Sequence, residues 1–265
     1  MASNLPVDVL PMILENLDNA DLATMCLVNK ICCSFSQDIL YRNLFFSHNN
    51  PHLIWRTLAH STHLARRVRS FRVSSIDSTV ESNQVDNLAT ALRNMSSLRK
   101  LNITLDDKYS NILDGCTFKL DSLWFGFRCD EYLIKFLNSQ PSLTHVGMSD
   151  PSPDELHMIH DRRIMFDATF LPNLTRVSAH AAWLRHLIPG RPVSEINVSG
   201  YPYIDRGFVD WNFFTLSTTP ILELTMSQDF LYDKPAEFLA SLFPSLVRLR
   251  IFMTLDYEEV RRPLC

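Results

Sequence analysis

The apolar positions of this chain follow two rhythms. Near its start Val9, Ile13 and Leu17 recur every fourth residue, with Leu10 and Leu14 beside them. That spacing makes one wide apolar face of an amphipathic helix. Asp8 is placed to cap this helix, which puts Pro11 in the first turn, where a missing N–H costs little. Asp18-Asn19-Ala20-Asp21 breaks the pattern, and Asp21 is placed to cap a second helix through Leu22, Met25, Cys26 and Val28. A third helical stretch carries Cys33, Phe35, Ile39, Leu40 and Leu44. Three short helices make too small a core to bury all this apolar surface, so the module is expected to dock onto a partner protein.

From residue 68 a different phrase recurs: apolar, two others, apolar, one other, apolar. It reads Val68-x-x-Phe71-x-Val73, Leu98-x-x-Leu101-x-Ile103, Leu120-x-x-Leu123-x-Phe125 and Leu143-x-x-Val146-x-Met148. It continues as Leu174-x-x-Val177-x-Ala179, Val193-x-x-Ile196-x-Val198, Ile221-x-x-Leu224-x-Met226 and Leu246-x-x-Leu249-x-Ile251. The starting points lie 19–31 residues apart. The last two apolar positions of each phrase are two apart, the spacing of one face of a strand. Pro141, Pro172, Pro192, Pro220 and Pro244 shortly precede five of the phrases, where proline ends a helix and removes a donor that has no use.

Between the phrases lie helical patterns. Val85, Leu88, Ala89, Leu92 and Met95 share a face, as do Tyr132, Leu133, Phe136 and Leu137. Phe208, Trp211, Phe214 and Leu216 fit loosely, while Phe238, Leu239, Leu242 and Phe243 fit well. Strand, helix and strand at this beat predict a right-handed solenoid with parallel strands inside and helices outside. The competing reading is a βαβ domain that is not a solenoid.

Composition narrows the function classes. The chain of 265 residues suits a small domain plus a larger one. A net charge of −4 gives no general attraction to nucleic acid. The start has no basic cluster followed by an apolar run, and no stretch reaches the length of a membrane span, so a soluble intracellular protein (cytoplasmic, nuclear or both) with no membrane partner is expected. Only 6 glycines argue against glycine-rich phosphate loops. The six cysteines form no Cys-x-x-Cys pair and have no nearby histidine partners, so they read as small hydrophobes in a reducing compartment and not as zinc ligands.

Catalytic signatures are absent: no Gly-x-Ser-x-Gly, no phosphate loop, no His-Glu-x-x-His and no dinucleotide fingerprint. A hidden hydrolase is the remaining enzymatic alternative, and neither a cofactor nor a metal is expected. His157-x-x-His160-Asp161 has metal-like spacing, but Arg162 and Arg163 follow it and oppose a cation, so it reads as a surface loop. Arg66, Arg67, Arg69 and Arg72, with Arg56 upstream, form a basic run without an intervening acid. It reads as a solvated face at the joint of two domains, with a nucleic-acid or phosphate site as the alternative.

The order Leu5-Pro6-x-Asp8-Val9-Leu10-x-x-Ile13-Leu14-x-x-Leu17, then Asp21-Leu22, Leu27-Val28-Asn29-Lys30 and Leu40-Tyr41-Arg42-Asn43-Leu44, resembles an F-box. The chain departs from that pattern at Leu40-Tyr41, where many members carry Trp. The resemblance implies binding to a Skp-type adaptor and, through it, to a cullin. By position it implies that Leu5, Pro6, Val9, Leu10, Ile13 and Leu14 enter the adaptor interface, with Leu17, Leu22, Val28, Leu40 and Tyr41 supporting or joining it.

The later phrases resemble leucine-rich repeats, whose period is about 20–29 residues. The asparagine expected three positions after the phrase is replaced, in the last seven of the eight, by Asp106, Arg128, Pro151, Ala182, Tyr201, Asp229 and Thr254, which predicts irregular turns. The chain end at Arg262-Pro263-Leu264-Cys265 follows one short helix, so the end of the stack is expected to be covered by that helix, by dimerisation or by further residues.

The expected fold is therefore α/β: an F-box helical module at residues 1–47, a helical linker at 48–67 and an irregular leucine-rich-repeat-like solenoid at 68–265. The implied function is a non-catalytic substrate-recognition subunit of a cullin-based ubiquitin ligase, with an unknown target protein as second partner. The alternative is a leucine-rich-repeat scaffold or inhibitor outside the ubiquitin pathway. On such a sheet the variable strand positions meet the ligand. They nominate Arg99, Asn102, Trp124, His145, Arg176, His180, Glu195, Asn197, Glu223, Arg248 and Arg250.

Overall fold

A computed structural model describes residues 7–46, 51–74, 82–105, 107–150, 169–199, 211–231 and 236–252. It divides into two compact units, Met1–Gln140 and Pro141–Cys265.

The first unit opens with a 3-10 turn, Val7–Val9, that runs into helix α1, Leu10–Leu14. Asp8 does not cap it. Val9 occupies the cap position with helical φ −84° and ψ −23°, so the turn passes straight into the helix and leaves no extended residue for a capping side chain. Pro11 sits in the first turn, as its missing N–H requires. Helix α2, Asn19–Met25, is capped by Asp18 and not by Asp21. The extended backbone of Asp18 lets its carboxylate accept the Asp21 N–H at 2.8 Å. Helix α3, Lys30–Arg42, is capped by Asn29, whose side-chain oxygen accepts the Cys32 N–H at 2.8 Å. Helices α1 and α2 both pack on α3, and Leu14, Leu22 and Cys32 are buried among them.

Leu44 is not helical. Asn43 turns extended at the end of α3, and strand β1, Asn43–Phe46, follows without a loop. It pairs in parallel with β2, Ser70–Ser74, which pairs with β3, Lys100–Thr104, which pairs with β4, Ser122–Phe125. The registers align Leu44, Phe71, Leu101 and Leu123 in one row and Phe46, Val73, Ile103 and Phe125 in another. The recurring phrase therefore begins one repeat early, as Tyr41-x-x-Leu44-x-Phe46. The interval expected as a linker holds helices α4, His52–His60, and α5, Thr62–Ala65, between two strands of one sheet.

The connections stack in the same order as the strands. Helix α4 packs on α6, Ser82–Asn94; α6 packs on a 3-10 segment, Asp107–Leu113; and that segment packs on α7, Glu131–Asn138. Trp55 and Leu58 of α4, Leu88 and Leu92 of α6, and Leu133 and Phe136 of α7 are buried. These are the i, i+3 and i, i+4 positions of amphipathic helices on a sheet.

The second unit repeats the plan less regularly. Strands β5, His145–Met148, β6, Arg176–His180, β7, Glu195–Ser199, β8, Glu223–Ser227, and β9, Arg248–Phe252, pair in parallel in that order. Val146, Val177, Ile196, Leu224 and Leu249 align in one row. The connections are a helix at Ala181–Leu187, 3-10 turns at Trp211–Leu216 and Gln228–Leu231, and a helix at Ala236–Leu242. The pattern through Trp211, Phe214 and Leu216 thus forms a 3-10 turn and not an α-helix. Trp211 and Phe214, three residues apart, stack on one side of such a turn with ring centroids 5.5 Å apart. Phe243 closes on Phe214 at 5.4 Å. Phe208, the His157–Asp161 cluster and residues 253–265 lie outside the described residues.

The missing asparagines have substitutes at a different place. Just ahead of the phrases, a polar side chain reaches back to the corresponding turn of the preceding repeat. Asn94 Nδ2 donates to the carbonyls of Leu58 and Ala59 at 3.2 and 2.9 Å. Gln140 Nε2 donates to Phe118 O at 3.2 Å, Asn173 Nδ2 to Pro141 O at 2.9 Å, and Arg191 Nε to Phe170 O at 2.6 Å. The Ser217 hydroxyl donates to the Arg191 and Val193 carbonyls, at 3.0 and 2.7 Å. Buried loop carbonyls need partners, and this staircase supplies them.

Candidate functional site

The helical module leaves much of its apolar surface uncovered. Val9, Met12 and Ile13 of the first helical turns, Leu27 and Val28 of the turn after α2, and Ile31 of α3 are exposed, Met12 at 68% and Leu27 at 86%. Each large apolar side chain left in water forgoes about 1.5–3 kcal/mol of burial. Such a concentration marks a surface that a partner covers. Leu14 and Leu22, by contrast, are fully buried and hold α1 and α2 on α3. Leu10, Leu17, Leu40 and Tyr41 are half-buried, and Leu5 and Pro6 lie outside the described residues. Met12, Leu27 and Ile31 are not among the residues the sequence nominated for the interface, although Leu27 belongs to the F-box-like motif, because a face cannot be called open until its neighbours are placed.

The Cys26 thiol is pushed up by burial and by the neighbouring Cys33, and the Tyr41 hydroxyl is pushed up by burial and by Cys26. Burial likewise pushes the Cys116 thiol up to about 12. Thiols held protonated are poor nucleophiles and poor ligands. Among the described residues no cluster of His, Cys, Asp or Glu is arranged to hold a metal, and no helix is long and apolar enough to cross a membrane.

The basic run divides by role. The Arg67 guanidinium pairs with Asp38 and donates to the Ser34 carbonyl at 2.9 Å, clamping the segment ahead of β2 to α3. Arg69 and Arg72 are exposed beside and on β2.

Strands β1, β3, β4 and β7 alternate buried and more open positions, while every position of β9 is exposed. On the open face of the first unit, Phe45, Arg72, Asn102 and Trp124 stand in one row, and Asn43, Ser70, Lys100 and Ser122 in the next. Immediately ahead of these rows stand Arg42, Arg69, Arg99 and Asp121, whose backbones are joined in sequence by Arg69 N–H to Arg42 O, Arg99 N–H to Arg69 O and Asp121 N–H to Arg99 O at 2.8–2.9 Å.

On the open face of the second unit one row reads His145, Arg176, Glu195, Glu223 and Arg248. Its charges pair internally. Arg176 grips Glu195 through two hydrogen bonds, 2.5 and 2.8 Å, and Arg248 holds Glu223 at 2.5 Å. The Arg176 guanidinium holds the Glu195 carboxyl below its usual range. Burial, and then the positive charge of Arg176, push the His145 imidazole down. The next row reads Gly147, Ser178, Asn197, Thr225 and Arg250; Gly147 and Ser178 are buried, and Asn197 Nδ2 donates to Ser178 Oγ at 2.9 Å.

His180 does not stand with the exposed members of these rows. Its side chain is buried, and its Nδ1 accepts the Ala182 N–H at 3.2 Å, capping the helix that begins at the next residue. Because β6 passes into that helix without a loop, the last strand position turns inward.

Comparisons with known proteins locate a family at one end of the chain. Residues 2–42 match the family model of the F-box domain. No curated protein matches the chain. A solved structure titled as a TLR13–ssRNA13 complex aligns with 77% of this chain at 14% identity and a TM-score of 0.31. The chain spans only 36% of the length of that structure.

Proposed function

The chain carries an F-box domain, and from that premise we propose that it is the substrate-recognition subunit of a cullin-based ubiquitin ligase. F-box domains bind Skp-type adaptors. The observation that carries the reading is the exposure of Val9, Met12, Ile13, Leu27, Val28 and Ile31 on a module whose own core is already filled by Leu14 and Leu22. In this reading the exposed set, with Leu5, Pro6, Leu10, Leu17, Leu40 and Tyr41, meets the adaptor. Leu14 and Leu22 shape the surface from beneath.

The open strand faces then hold the target. Arg99, Asn102 and Trp124 serve in the first unit, and His145, Arg176, Glu195, Asn197, Glu223, Arg248 and Arg250 in the second. The subunit works by proximity. Holding a target lysine near a charged ubiquitin carrier raises its effective concentration, and no group of this chain need react. The Arg67 clamp on α3 supports this role, because it stiffens the passage from the F-box helices into the first strands.

Co-purification with a Skp-type adaptor tests the proposal. Met12→Asp with Leu27→Asp is expected to abolish adaptor capture while leaving the thermal melt unchanged, since both side chains lie in solvent. Leu14→Asp is expected to lower both, because it buries a charge. Failure of the wild-type chain to capture any Skp-type adaptor would refute the proposal and leave the leucine-rich scaffold reading.

A further inference from the structure

We propose that the open face of β1–β4 is a docking site for an extended acidic peptide, one whose glutamate and aspartate carboxylates meet the arginine row. This rests on the reading of the strand faces as the target-holding surface, and it names the half of the chain and the chemistry that do the holding.

The first observation is a like-charge stack. Arg42, Arg69 and Arg99 stand at equivalent positions immediately ahead of β1, β2 and β3, with Lys100 in the next row and Arg72 two rows beyond it. Neighbouring strands stand about 4.8 Å apart, and like charges directly across a ladder repel. All five side chains are exposed. Among the described residues the two ends of the stack are countered, Arg42 by Glu15 at 3.2 Å and Arg99 by Asp121 at 3.6 Å. Among the described residues no carboxylate pairs with Arg69, Arg72 or Lys100. Arg69 reaches only the Ser97 carbonyl, at 3.5 Å.

The second observation is the contrast with the strands of the second unit. There the charged row neutralises itself through Arg176–Glu195 and Arg248–Glu223. Basic and acidic residues balance across residues 1–140, so the cations of the first sheet are a local segregation and not an effect of composition. An anion is attracted to the first face, and on the second it meets two closed pairs beside the exposed Arg250.

The geometry points to carboxylates and to peptide. A single phosphate is best held by donors converging on one point, as a bidentate arginine pair does. Here the cations are spread along and between strands, one charge at a time. An extended peptide presents alternate side chains about 6.6–6.8 Å apart, a spacing suited to single carboxylates meeting single cations. Phe45, 64% exposed, and Trp124, half-buried, stand at the two ends of the Arg72–Asn102 row and offer apolar contacts to the residues between the acids. A nucleic acid could use the same cations and aromatics, so it is the alternative that the test must exclude.

The test uses the full-length chain and fluorescence anisotropy of labelled probes. These are a peptide alternating Glu and Ala, its Lys counterpart, its phosphoserine counterpart, and poly(U). The Glu peptide is expected to bind, with an affinity that falls as salt rises, and the Lys peptide is expected not to bind. Arg69→Gln, Arg72→Gln and Lys100→Gln together are expected to weaken the Glu peptide at least about tenfold. Arg93→Gln with Lys135→Gln, two exposed cations of α6 and α7, should leave it unchanged. The conservative pair Arg69→Lys and Arg72→Lys should retain binding, which separates lost charge from lost fold. Tighter binding of poly(U) or of the phosphoserine peptide overturns the assignment, as does full affinity in the glutamine triple variant. In either event adaptor capture through Met12 and Leu27 stands as a separate measurement, so the subunit reading is not decided by this one.

Discussion

Gln140 Oε1 accepts the backbone N–H of Leu120 at 2.9 Å, twenty residues back along the chain, and Gln140 Nε2 donates to the Phe118 carbonyl at 3.2 Å. Gln140 is fully buried. One amide side chain thus satisfies a donor and an acceptor of the preceding turn. Gln140→Leu keeps the volume and removes both partners. Each unsatisfied buried group costs about 1–3 kcal/mol, so a loss of roughly 2–6 kcal/mol is expected. Urea unfolding should show a lower midpoint at unchanged slope. Adaptor capture, which uses the other end of the unit, should be unaffected below the transition.

Arg191 performs the same work with a charge. Its guanidinium is fully buried and donates to the carbonyls of Phe170, His186, Leu187 and Pro189 at 2.6, 3.1, 3.4 and 2.9 Å, with the Phe170 ring 5.7 Å away. Arg191→Met is expected to cost about 3 kcal/mol or more, measured by denaturant unfolding. Arg191→Lys should fail to restore it, because an ammonium cannot reproduce the planar fork. The matched exposed change, Arg176→Met, should cost no more than about 1 kcal/mol.

The pH dependence of stability has two separable parts. His145 is held below the ordinary histidine range by burial and by Arg176. The folded chain therefore binds fewer protons there than the unfolded chain, and stability falls as pH drops below that ordinary range. Glu195, held low by Arg176, contributes stability that is present above the ordinary carboxylate range and lost as pH falls through its depressed folded value. Unfolding midpoints measured from neutral pH downward should decline in two steps. His145→Gln should remove the first and leave the second.

The strand positions were readable because two constraints act locally. Side chains alternate across a strand, and a parallel stack demands the same phrase at each level, so Val68, Leu98 and Leu120 announce their rows without any knowledge of neighbours. The first repeat was hidden for the converse reason. Tyr41 and Leu44 fit the helical period of α3 as well as the phrase, and a residue that satisfies both patterns is assigned only when its hydrogen-bond partner, here the β2 strand, is in place. The caps failed similarly. Asp8, Asp18 and Asp21 are all chemically able to cap a helix, and backbone dihedrals choose among them.

The interaction surfaces show the same division. Residue order and spacing alone identified the F-box and nominated most of the open rows of both sheets, because hydrophobic period and strand alternation are properties of the chain itself. Burial and pairing needed the folded molecule. Leu14 and Ile13 are equivalent as letters, yet one is sealed beneath the helices and the other faces solvent. The arginines of the first sheet and those of the second are equally basic, yet Arg176 and Arg248 are neutralised by carboxylates from neighbouring strands while Arg69 and Arg72 are not. Which charges meet across a ladder depends on register between segments far apart in the chain, and that is a property of tertiary structure.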